Sequence, residues 1–191
     1  MMWRKHLQIA GLLGLVVLAG CIPSVHSLYN ERDVVFEPAL LGEWTNESSS
    51  NTLTFTQKGA KSYNLVFRGE GGAKAEFVAH LLKVGEWHFL DFYPLESAAL
   101  QNDFYKCNFL PMHTFMRVRE IEPGLRLEIL KTDWLLEYLA NNPEAIKHEK
   151  VKDSLMLTAK PAELQAFLLK HEKTEDAWAE GSSMTRKTEK K

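Results

Sequence analysis

The chain has 191 residues, 45% of them apolar and 25% charged, with two cysteines and a formal charge of −2, the make-up of one ordinary globular domain. Collagen, disulfide scaffolds and wholesale disorder are excluded, and a chain of this length buries enough surface to fold without a metal or a staple. The near-neutral balance offers no basic stripe to displace counterions from phosphate, which argues against a nucleic-acid partner.

At the N-terminus Arg4 and Lys5 precede an uncharged apolar run from Ile9 to Ala19, the pattern of a signal segment. The run is shorter than the about 20 apolar residues that span a bilayer. Cys21, Pro23 and Ser24 follow where a spanning helix would still lie in hydrocarbon. Leu18-Ala19-Gly20-Cys21 resembles the lipobox of bacterial lipoproteins. That resemblance implies cleavage between Gly20 and Cys21, a thioether-linked diacylglycerol on Cys21, and acylation of the new amine by a fatty acid such as palmitate. Two or more acyl chains anchor a protein stably, where one holds it only marginally. By the same resemblance, Ile22 in place of an aspartate implies the outer membrane facing the periplasm, where the cell has two membranes. Loss of Arg4 and Lys5 with the signal makes the mature chain more acidic than the −2 of the whole. Cys107 is then the remaining thiol, so no intramolecular disulfide forms. Its neighbours, Asp103 to Lys106 and Asn108 to Leu110, read as a packed loop with a structural cysteine.

Residues 21–38, punctuated by Pro23, Ser24, Ser27, Asn30 and Pro38, read as a lipidated tether. Period-two alternation then dominates, the mark of strands with one buried face. Leu41 to Thr45 opens the series. Leu53 and Phe55 alternate with Thr52, Thr54 and Thr56, and Tyr63, Leu65 and Phe67 alternate with Ser62 and Asn64. Phe77, Ala79 and Leu81 share a side in 75–82, Trp87 and Phe89 in 86–93, Thr114, Met116 and Val118 in 112–120, and Leu125, Leu127 and Ile129 in 125–131. A helix follows Thr132 through Trp134, Leu135, Tyr138 and Leu139 and stops at Asn141-Asn142-Pro143. Ser154 to Thr158 supplies an eighth strand. A second, amphipathic helix starts at Pro161 and carries Leu164, Phe167, Leu168 and His171 on one stripe. From about Gly181 the composition is polar, and 173–191 reads as a disordered tail.

The links at 46–51, 57–60, 69–72, 83–85 and 122–124 are short, and short links join antiparallel neighbours. An open meander of eight strands exposes two edges, which closure removes. The expected fold is therefore mainly β: an eight-stranded antiparallel up-and-down barrel, with a helical insert before the last strand and a C-terminal amphipathic helix. The domain plan is a signal peptide at 1–20, the tether at 21–38, the barrel domain at 39–172 and the tail at 173–191.

Gly42-Glu43-Trp44 on the first strand resembles the Gly-x-Trp that opens the barrel of lipocalins and the wider calycin group. The resemblance covers roughly 39–172 and implies that Trp44 closes the base, with Arg119 or Arg126 as the cation packed on it. No clear Thr-Asp-Tyr motif is present, Asp91-Phe92-Tyr93 being a loose echo, and the insert at 132–149 has no counterpart in the standard family.

An eight-stranded barrel is just wide enough either to be filled by its own side chains or to hold one small ligand. The inward candidates are Trp44, Phe55, Tyr63, Phe67, Phe77, Trp87, Phe89 and Phe115. Two registers are open to the hairpin around Gly85. A two-residue turn at Val84-Gly85 pairs His80 with Phe89, whereas a three-residue loop pairs His80 with His88 and gathers Phe77, Ala79, Leu81, Trp87 and Phe89 on one face; the apolar pattern favours the second. A histidine pair alone does not make a zinc site, which needs three or four ligands. No hydrolase elbow, zincin motif or phosphate loop occurs. The reading is a membrane-anchored envelope lipoprotein, not an enzyme and without cofactor or metal. It binds a small hydrophobic ligand in the barrel or, with a filled barrel, another envelope protein.

Overall fold

The computed structural model describes residues 22–46, 49–95, 106, 109–152 and 154–187. Cys21 and Cys107 lie outside the described residues.

Eight antiparallel strands close into a barrel: β2 (Gly42–Thr45), β3 (Thr52–Gln57), β4 (Tyr63–Arg68), β5 (Lys74–Val84), β6 (Trp87–Pro94), β7 (Thr114–Glu120), β8 (Gly124–Leu130) and β11 (Trp178–Arg186). Each pairs with the next, and β11 returns to β2 through Thr185 and Arg186, which closes the ring. A short strand β1 (Val34–Val35) pairs with Leu81 and Leu82 of β5, beyond the reach of β4. Between β8 and β11 come helix α1 (Thr132–Asn141), a hairpin of β9 (His148–Val151) and β10 (Ser154–Leu157), and helix α2 (Pro161–Lys170).

Three expectations are corrected here. The segment 154–158 is a strand, but it pairs with β9 outside the barrel. The eighth wall position belongs to β11, within the segment read as a disordered tail. Its alternation is hidden because Gly181 is a bulge: Glu180 pairs with Glu128 and Ser182 with the very next residue, Leu127. One extra residue reverses which parity faces inward. Trp178 therefore packs outside while Met184 packs inside. A Cβ at Gly181 would stand 2.8 Å from Ile129 Cγ2, so the bulge also needs a bare backbone. The segment read as a tether is bound to the barrel from Ile22 onward, with Ile22, Ser24, Leu28 and Val34 all buried.

Two apolar cores share the wall. The inner one contains Trp44, Phe55, Tyr63, Leu65, Leu81, Leu90, Val118 and Leu125. The outer one lies on the far side of β5 to β8, where Leu82, Val84, Phe89, Phe115 and Leu130 meet Leu135 and Leu139 of α1, Leu164, Phe167 and Leu168 of α2, Leu155 and Leu157 of β10, and Leu28. Strands buried on both faces read as continuous apolar runs instead of alternating ones, as in Phe89-Leu90-Asp91-Phe92, all buried.

The base is closed by the Gly-x-Trp strand. Trp44 is fully buried and its Nε1–H donates to the Leu40 carbonyl at 2.9 Å. The cation on its ring is Arg186, 4.3 Å from the ring centre, whose guanidinium donates to the Ala39 and Leu41 carbonyls. Neither expected arginine does this: Arg119 lies over Trp87 outside the barrel, and Arg126 pairs with Glu120 at 2.9 Å. Gly42 has φ +120°, and a Cβ there would stand 2.8 Å from Arg186 Nη1. Glycine two residues before the tryptophan thus leaves room for the guanidinium.

Replacing Trp44 by alanine empties a fully enclosed site, and the expected loss is about 3–5 kcal/mol, read as a lower urea midpoint with an unchanged slope.

Candidate functional site: a cavity at the open end

The C-terminal ends of β2, β4 and β6 and the starts of β3, β5 and β7 lie at one end of the barrel; the turns 58–62, 85–86 and 121–123 lie at the other with Trp44. A cavity of 340 Å³ opens at the first end. Leu53, Leu65, Phe67, Ala75, Phe77, Phe92, Met116, Leu127 and Met184 line it with apolar groups, Phe77 and Phe92 meeting edge-on at 6.4 Å, and Asn46, Ser49, Asn51, Thr114 and Ser182 supply the polar groups. None of these lining residues carries a charge. The volume sits at the small end of the roughly 300–1,000 Å³ of small-molecule sites.

Of the eight aromatic candidates, Phe67 and Phe77 line this cavity. Trp44, Phe55 and Tyr63 belong to the inner core and fill the base, where Tyr63 stacks on Phe36 at 4.9 Å and meets Phe55 edge-on at 6.1 Å. Trp87, Phe89 and Phe115 face outward into the second core. The hairpin register explains this last group. The turn is the two-residue Gly85-Glu86, with Gly85 at φ +60° and Val84 paired with Trp87, a turn that takes glycine at its first central position. Leu82 then opposes Phe89, His80 opposes Asp91 and His88 opposes Lys83. Neither register considered from sequence is the one formed, and the two histidines are not neighbours. The packed outer layer makes outward aromatics as well buried as inward ones.

Outside the wall lies a polar cluster that spacing did not reveal. Asp91 is fully buried, and its Oδ1 lies 2.7 Å from His113 Nδ1 while Oδ2 accepts the Leu28 N–H at 2.8 Å. Tyr29 packs on His80 at 4.4 Å. A buried carboxylate without such partners is costly, so Asp91 fastens the N-terminal segment to the barrel. Arg117 does the same for the far end of the chain. It is sandwiched between Trp87 at 4.6 Å and Trp178 at 4.0 Å, bonded to Glu128 at 2.7 Å, and donates to the Glu172 carbonyl at 2.7 Å. Among the described residues no three His, Cys, Asp or Glu side chains are grouped as a metal site needs, and no helix is long and apolar enough to cross a membrane. A wider concavity of 880 Å³ lies outside, against α1 and residues 174–179, but it is open and carries Lys131, Asp133, Glu137 and Asp176.

No protein-family profile, curated protein or solved structure matches the chain. The closed eight-stranded antiparallel barrel, with Gly42, Trp44 and Arg186 at its base, is consistent with a lipocalin-like fold.

Burial pushes the His80, His88 and His171 imidazoles below the ordinary histidine value. At His80 the carboxylates of Asp91 and Glu31 oppose this, and His113 and Lys58 reinforce it. His171 is enclosed by Trp134, Tyr138 and Phe167, with no partner for Nε2. The unfolded chain protonates each of them near pH 6.5, the folded chain only at lower pH, so the unfolded state binds more protons as pH falls. Stability is therefore expected to be level above about pH 7 and to decline below about 6.5. His171→Phe should flatten part of that decline, a difference visible in urea melts at a series of pH values.

Proposed function

We propose that this protein is a lipid-anchored lipoprotein of the bacterial envelope whose barrel binds a small hydrophobic molecule. The observation that carries the reading is the 340 Å³ cavity, apolar in most of its lining and uncharged throughout. Burying a charged group in such surroundings without a partner is strongly disfavoured, so the enclosed part of the ligand is apolar and neutral, with hydroxyl or amide groups at the mouth to meet Asn46, Asn51 and Thr114. A cavity of this size holds one small apolar molecule, such as a medium acyl chain or a terpenoid. A partner-binding role calls instead for a filled barrel beside a contiguous apolar surface. The large exposed apolar side chains among the described residues are Phe109, Leu110 and Val151, on two different connections.

The anchor is supported by the residues Leu18-Ala19-Gly20-Cys21 behind a charged and apolar start. The outer membrane is the proposed location in a two-membrane cell, and binding without catalysis the proposed activity.

Two measurements test this. Cys21→Ser should move the protein from the membrane to the soluble fraction; retention in membranes would remove the lipoprotein reading. Organic extraction of the protein purified from its own host should yield a near-stoichiometric neutral lipid. Ala75→Trp, which fills the cavity from one wall, should lose that lipid while its melting temperature stays within a few degrees. An empty wild-type extract, or a ligand unaffected by Ala75→Trp, would end the carrier reading.

A further inference from the structure

The N-terminal segment runs down the outside of the barrel from mouth to base. Ser24 exchanges backbone hydrogen bonds with His113 at 2.8 and 2.9 Å. Leu28 is held by Asp91, Val34 and Val35 pair with Leu82 and Leu81, and Leu40 meets Trp44 at the base. The end that leads back to Cys21 is therefore the end at His113, and His113 immediately precedes Thr114 of the cavity lining. Ile22 is itself buried, 5% exposed, so no free spacer follows Cys21. Three residue steps of backbone span at most about 11 Å, so the lipid anchor proposed for Cys21 can attach only near Ser24, at the mouth end. The same connection that ends at His113 carries Phe109 and Leu110, 51% and 66% exposed, two of the three large exposed apolar side chains among the described residues.

We infer that the open mouth of the barrel rests on the bilayer, with Phe109 and Leu110 in the interface. A hydrophobic ligand then passes between the acyl-chain region and the cavity without crossing water. The inference rests on the lipid anchor proposed for Cys21. That anchor fixes the height of the mouth above the lipid, and exposed apolar side chains at its rim gain by leaving water at the same interface. The base, with its turns 58–62 and 85–86, faces away.

The test uses the full chain, lipidated in its host and reconstituted into vesicles of phosphatidylethanolamine and phosphatidylglycerol. In a Cys107→Ser background, one cysteine is placed at the mouth (Leu110→Cys, with Phe109→Cys as a second variant) or at the base (Lys61→Cys). Each is labelled with an environment-sensitive dye. Phospholipids bearing a nitroxide near the glycerol region should quench the mouth labels severalfold more than the base label. Equal quenching, stronger quenching at Lys61, or none at any position while the protein floats with the vesicles would overturn the orientation and leave the anchor standing. A wild-type chain that does not float with the vesicles would overturn the anchor, and the inference with it.

Discussion

The barrel depends on a narrow seam. β11 is paired with β8 at seven positions but with β2 at only two, Thr185 to Thr45 and Arg186 to Trp44. Two backbone pairs are little to hold an edge, and side chains make up the difference. Arg186 stacks on Trp44 and donates to the carbonyls of Ala39 and Leu41, Asn46 donates to the Ser183 carbonyl, and Lys187 bonds Glu43 through its backbone at 2.8 Å and its ammonium at 2.9 Å. A guanidinium over a desolvated indole is worth more than one in water, and here its donors also satisfy carbonyls of the segment that plugs the base. Gly42, Trp44 and Arg186 thus act as one joint, closing the ring sideways and the floor below.

The short seam also explains where the cavity lies. Below it the wall is complete, and Trp44, Tyr63, Phe55 and Leu125 fill the interior with less than 2% of each exposed. Above it β2 has ended at Thr45 while β11 still lines the wall with Ser182 and Met184. Asn46, Ser49 and Asn51, which follow β2, line the cavity there. The barrel is thus filled at its base and hollow toward its mouth, an arrangement intermediate between the two interiors an eight-stranded barrel permits.

Much of this was legible in the residues and some was not, for reasons that differ by segment. β2 to β8 follow from alternation, because their inward faces are apolar, and, except between β6 and β7, from short links carrying glycine, asparagine or proline. β11 is obscured by the Gly181 bulge, which breaks the alternation between Trp178 and Met184, and by Ser182, Ser183 and Thr185, whose polarity suggests a solvated tail. Once that strand is missed, its arginine is missed too, and the cation for Trp44 is sought on β7 or β8. The site was half legible: Phe67 and Phe77 line the cavity, but Trp87, Phe89 and Phe115 look the same in sequence and lie on the other side of the wall. Burial on both faces removes the contrast by which parity is read. Asp91 within an apolar run was the available clue that the outer face carried structure of its own.

The buried charges divide the molecule in a way that bears on its chemistry. Asp91 and Arg117, both buried, sit on the outer face, and each ties a flanking segment to the wall: the N-terminal stretch through Leu28, and the stretch leading to β11 through Glu172 and Trp178. Polar fastening is thus spent on the outside, where desolvated ions meet well-formed partners, and the interior is left to apolar and neutral groups. The cavity accordingly offers apolar area and shape, with Asn46, Ser49, Asn51, Thr114 and Ser182 as its polar groups. The Asp91 fastening also fixes the path of residues 24–28 along the outer wall, so the same buried carboxylate that anchors Leu28 decides that this stretch starts at the cavity end, where Ser24 pairs with His113.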